Sequence, residues 1–83
     1  MQKEVISLED ILNNVITVLM ILTDIKYIKD IDLLIDDLGI NWINTPSIIC
    51  ALEAEFNISI PIRSLNRMYT VKDIAIEIYK LIK

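Results

Sequence analysis

At 83 residues the chain suffices for one small domain, which buries only about 60–65% of the surface its unfolded form exposes; a hydrophobic content of 54%, with nineteen isoleucines, still excludes disorder. Twelve acidic against eight basic residues give a net charge of −4, and the lack of a clustered basic surface disfavours nucleic acid and anionic membranes as partners. No histidine is present, which excludes imidazole catalysis and histidine metal sites, and the single cysteine, Cys50, forms no internal disulfide and fits a reducing cytoplasm.

The first predicted element is a helix over 7–22. Ser7 and Asp10 resemble a capping box, and Leu8, Ile11, Leu12, Val15, Leu19 and Leu22 recur at helical spacing. Within it, "VITVLMIL" (15–22) is the longest apolar run, too short to span a bilayer. It also lacks the charged start and cleavage site of a signal peptide. The expectation is a soluble, cytoplasmic protein. A long connection follows over 23–40, with Ile28, Ile31, Leu34, Ile35 and Leu38 available to pin it to the core. A short helical turn is expected around 30–36, and Gly39 is expected to close the segment in a left-handed conformation.

The next amphipathic stretch carries Ile48, Ile49, Leu52 and Phe56 on one face, with Ser47 and Glu53 near the other. Pro46 would crowd the turn behind it if the helix began near Asn41. A start at residue 45 or 46 instead lets Thr45 cap and puts Pro46 at the first helical position. "NISIP" (57–61) then reads as an extended connector, and "IRSLNRM" (62–68) makes two turns at most. Thr70 caps a last helix with Val71, Ile74, Ala75, Ile78 and Ile82 as its apolar stripe. No repeat, low-complexity tract or Gly/Ser linker interrupts this order. The expectation is one all-α domain over 1–83, a small four-helix bundle with a short third helix.

Asp37-Leu38-Gly39, "ALEAEFNISIP" (51–61) and Thr70-Val71-Lys72-Asp73 form a pattern that, across roughly residues 7–82, resembles the acyl and peptidyl carrier proteins. The resemblance implies a four-helix carrier fold. It also implies a 4'-phosphopantetheine arm on the serine of an Asp-Ser-Leu motif, whose equivalents here are Asn41, Trp42 and Ile43. That phosphodiester needs an alcohol oxygen, whereas an indole offers only an N–H donor. The reading is therefore a carrier-like domain without its cofactor. Thr45, Ser47 and Cys50 are the alternative attachment residues, although Cys50 reads better as a small core residue.

In the family, acidic residues of the second and third helices dock on basic enzyme surfaces. At matching positions this chain has Asn44, Ser47, Ile62 and Arg63, so steering of that kind is expected to be weak. The candidate partner surface comprises Ile40, Trp42, Ile43, Asn44, Ser47, Ile62 and Arg63. Two placements are open for Trp42: folded inward over the end of the core, or exposed as an interface anchor. The richness of the core favours the inward one. Pairs such as Asp36/Asp37 and Glu53/Glu55 do not share a helix face and read as solvated charge. Nothing assembles an active or metal site, so no enzyme activity is expected.

The function expected is contact with other proteins, biosynthetic enzymes among them, in a fatty-acid, polyketide or peptide-assembly setting. The alternatives are non-covalent binding of a hydrophobic ligand, and a genuine acyl or aminoacyl carrier with the arm attached elsewhere or with position 42 altered.

Overall fold

Four helices carry the chain, α1 (Leu8–Thr23), α2 (Pro46–Phe56), α3 (Ile62–Leu65) and α4 (Val71–Ile82). The computed structural model describes residues 7–42 and 46–82. Among these no strand forms, only an isolated antiparallel bridge between Leu33 and Thr70. The all-α expectation holds. The radius of gyration is 12.3 Å, close to the roughly 11.8 Å of a compact globule this long.

At the start of α1, Ser7 has extended backbone and its hydroxyl accepts the Asp10 N–H at 3.1 Å. Ile11, Val15 and Leu19 are fully buried on this helix. Asp24, with φ +61, then ends it through an N–H to the Met20 carbonyl. Burial stops before the helix does. The last turn runs past the buried part of the stripe and leaves Ile21 and Leu22 exposed, so Leu22 is not the core residue its spacing predicts.

The helical turn expected around 30–36 forms only later, as single turns closed by the Asp37 N–H on the Leu33 carbonyl (2.9 Å) and the Gly39 N–H on the Ile35 carbonyl (3.0 Å), and the hydrogen bonds say why. A helix there would direct the Asp30 and Asp32 carbonyls to the N–H groups of Leu34 and Asp36. Instead those carbonyls accept from Lys72 (2.9 Å) and Val71 (3.1 Å), while the Leu34 N–H goes to the Tyr69 carbonyl at 2.9 Å. The connection is spent on stitching itself to the start of α4. Its pinning residues are Ile28, Leu34 and Ile40, all buried, with Leu38 partly so. Leu34 points inward at the Leu33–Thr70 bridge, and its flanking neighbours Leu33 and Ile35 turn outward. Ile31 and Ile35, expected in the core, are exposed. Gly39 closes the turn as expected, at φ +68 with its N–H on the Ile35 carbonyl.

The same stitching completes the N-terminus of α4, where four backbone donors would otherwise lack intrahelical partners. Those of Val71 and Lys72 reach the connection. Thr70 N–H donates to the Asp73 carboxylate at 3.0 Å, and Asp73 N–H donates to the Thr70 hydroxyl at 3.1 Å. Thr70 is the expected cap, with Asp73 its reciprocal partner. Along α4, Val71, Ile74, Ala75 and Ile78 are fully buried. The carboxylate of the largely buried Glu77 meets the Lys80 ammonium at 3.3 Å.

Pro46 is the first residue of α2, as its missing N–H and fixed φ predict. The proposed cap, Thr45, lies outside the described residues. Ile48 and Leu52 are buried, and Ile49 and Phe56 are partly so. Pro46, Ser47, Cys50, Ala54 and Glu55 are exposed to solvent. Cys50 is therefore exposed and not a core residue: two positions from Ile48 on a helix, it points away from the core. The helix closes with Asn57 at φ +55 and the Ile58 N–H on the Glu53 carbonyl, a Schellman arrangement. Glu53 also accepts the Ile60 N–H on its carboxylate at 2.8 Å. Asp37 similarly accepts the Leu33 N–H at 2.7 Å. Neither is merely solvated charge.

α3 is a single turn after Pro61. α1 packs chiefly on α4 and also on α2, and the connection covers the remaining side. No helix among the described residues is long and apolar enough to cross a membrane.

Candidate functional site

Residues of the 33–42 segment line one wall of a groove, and the end of α3 with the segment after it lines the other. Its floor is apolar and buried, formed by Leu34, Ile40 and Met68. The half-buried Trp42 and Leu65 stand above that floor, and the exposed side chains of Leu33, Ile35 and Tyr69 form the rim. Asp36, Asn41 and Asn66 supply the polar lining. The groove encloses about 390 Å³, within the usual range for a binding pocket.

Backbone hydrogen bonds hold this shape. The Leu34 N–H clips one wall to the Tyr69 carbonyl of the other, and Asp73 accepts the Tyr69 N–H at 3.0 Å. The Ile40 N–H reaches back to the Leu34 carbonyl at 2.7 Å. That bond, following the left-handed turn at Gly39, sends the Ile40 side chain into the core.

Of the residues singled out from sequence, Ile40, Asn41 and Trp42 come together in this groove. Ile40 is only 2% exposed, which removes it from any partner-facing surface and makes it floor instead. Trp42 lies in the loop before α2, packed against the core and open to the groove on its remaining side. The inward placement describes it better, though one face stays accessible. Ile43 and Asn44 lie outside the described residues. Ser47 is exposed on α2, and Ile62 (75% exposed) and Arg63 are exposed on α3. None of these three lines the groove.

The sequence reading missed the opposite wall, Leu65, Asn66, Met68 and Tyr69, and the rim residues Leu33 and Ile35. The spacing of Leu33 from Thr70 carries no local signal, because the bridge joining them is a long-range pairing.

Chemically, the groove offers apolar surface and a few hydrogen-bonding groups. Trp42 supplies no oxygen that could form a phosphodiester, so a phosphopantetheine arm does not fit at this position. The described residues contain no cluster of three His, Cys, Asp or Glu side chains that could hold a metal. A scan against protein-family models and a search of curated proteins gave no match to this chain.

Proposed function

We propose that this chain is a carrier-protein-like domain that has given up the covalent arm and acts by contact with other proteins. Biosynthetic enzymes of fatty-acid, polyketide or peptide assembly are the partners the motif pattern suggests, and the cytoplasm is the setting. One observation carries the reading: Trp42, which the motif resemblance aligns with the attachment serine, packs on the core four residues ahead of the start of α2 at Pro46. The hydroxyl and the helix start have changed together, so the loop is rebuilt and the substitution is not a single lost letter. The first turns of α2 expose Ser47 and Cys50 and no acid, and its one exposed carboxylate, Glu55, lies in the last turn, which leaves little charge with which to steer toward basic enzymes. The domain is a contact module with no catalytic or prosthetic group.

Intact-mass measurement after incubation with coenzyme A and a broad-range phosphopantetheinyl transferase tests this reading. An unchanged mass supports it, and addition of one phosphopantetheine overturns it. The apolar groove beside Trp42 favours a second reading, non-covalent binding of a hydrophobic ligand. A lipid retained through purification and seen by native mass spectrometry would favour that reading.

A further inference from the structure

We propose that the groove beside Trp42 seats a large apolar side chain from an amphipathic helix of a partner protein, with basic residues flanking that side chain. The proposal rests on the protein-contact role above and names the chemistry of the partner.

The groove is open along a rim of exposed apolar residues, Leu33, Ile35 and Tyr69. Small-molecule sites instead enclose most of their ligand. An anchor projecting from a convex surface fits an open groove, as in helix-in-groove recognition. Trp42 and Tyr69 on its walls are residue types that dominate such contacts.

Charge selects the partner's sign. Among the described residues Asp36 is the one charged residue in the lining, and it is exposed. Next to it, the Asp37 carboxylate is fixed at the backbone of Leu33, a rim residue. The Asp32 carboxylate is held one residue before Leu33, on the Lys29 N–H at 2.8 Å. Asp36 is thus the lining charge among the described residues, with the Asp37 and Asp32 carboxylates just outside the lining on the same segment. On the other side, Arg63 and Arg67 belong to α3 and the residues just after it but lie outside the lining. An anionic amphiphile such as a fatty acid would bring its carboxylate toward Asp36, whereas a lysine or arginine beside the anchor would be attracted.

Trp42 is the single tryptophan, so its emission reports on the groove. The probe is a synthetic amphipathic helix of leucine and lysine. Its controls are a scrambled peptide of the same composition, the leucine/glutamate equivalent, and decanoate. The leucine/lysine helix should shift Trp42 emission saturably and move amide signals at 33–36 and 65–69. Asp36→Asn should weaken it about two- to five-fold, the range for a partly exposed charge pair. Leu33→Ser should weaken it about tenfold, as for an interface anchor. Should that variant unfold, Tyr69→Ala, at an exposed position, takes its place.

Equal binding of the scrambled or glutamate peptide overturns the proposal, as does no saturable binding. Shifts confined to the exposed end of α1 around Ile21 and Leu22, or a response to decanoate alone, overturn it equally. The two readings fail separately. A phosphopantetheine found by mass would remove the armless role while leaving a peptide-binding groove. An unchanged mass without peptide binding would remove only the groove assignment.

Discussion

Replacing Asp73 by alanine should cost more stability than any other surface substitution in this protein. The Asp73 carboxylate accepts two backbone N–H groups, from Tyr69 and Thr70, both at 3.0 Å. Its own N–H is held by the Thr70 hydroxyl at 3.1 Å. Bonds to a charged acceptor contribute about 1.5–3 kcal/mol each when shielded. The Tyr69 bond is exposed and the Thr70 bond only partly buried, so each falls below that range and the two together contribute about 1.5 kcal/mol. A carboxylate in the first helical turn adds a favourable interaction of about 0.3–1 kcal/mol with the helix dipole.

Asp73→Ala should therefore cost about 2 kcal/mol and lower Tm by roughly 10 °C. Asp73→Asn keeps an acceptor and should cost less than half as much. Thr70→Ala should cost about 1 kcal/mol. The double variant should fall short of the sum by about 0.5–1 kcal/mol, because the two side chains form one reciprocal unit. Urea denaturation followed by circular dichroism measures all four. Amide exchange adds a local readout: the Leu34 N–H, bonded to Tyr69, should exchange faster in Asp73→Ala as the groove walls loosen. If Asp73→Ala were within 0.3 kcal/mol of wild type, roughly the scatter of a neutral surface change, water would be serving those N–H groups and the reasoning would fail.

Gly39 would meet no atom within 4 Å of an added Cβ and has φ +68, so Gly39→Ala isolates the backbone cost of the left-handed turn, about 1 kcal/mol, and Gly39→Asn should cost less; equal losses by thermal melting would argue against a purely conformational origin. Leu52, fully buried, should cost about 2–5 kcal/mol as alanine, and a loss under 1 kcal/mol in denaturant titration would mean the core is looser than described. Glu53→Ala strands the Ile60 N–H and should cost about 1–2 kcal/mol, while Glu53→Gln retains an acceptor; matching denaturation midpoints for the two would deny the bond a role. Cys50, being exposed, should react with a thiol reagent in the native protein at nearly the rate of a free thiol, and protection until unfolding would return it to the core.

Local patterns carried much of this fold into the sequence. Pro46 announces the first residue of α2 through its missing donor and fixed φ, Thr70 announces a cap, and Gly39 a left-handed turn. Each is a property of a few adjacent residues. The errors fall where distant backbone decides. Asp30 and Asp32 lie where the pattern suggests a helical turn, yet their carbonyls accept from α4 and are not left to close that turn. Ile40 looks like a companion of Trp42 on an exposed apex, but the bond to Leu34 turns it into the core. Trp42 stands out in the sequence as the single tryptophan, and only the opposite wall supplied by α3 and the segment after it shows what it faces. Glu53 and Asp37 read as ordinary charge because a carboxylate's backbone partner several residues away leaves no periodic trace.

The account turns on the claim that the loop before α2 is rebuilt for something other than an arm. Intact masses of wild-type protein and of the Asn41→Asp/Trp42→Ser variant, compared after transferase treatment with coenzyme A, test it most directly. The account predicts an unmodified wild type, and an unmodified variant too, because α2 still starts at Pro46 and the restored serine stays outside a helix N-terminus. One phosphopantetheine on the wild type would contradict the central claim; one on the variant alone would show that a hydroxyl and its acid were all that had been lost.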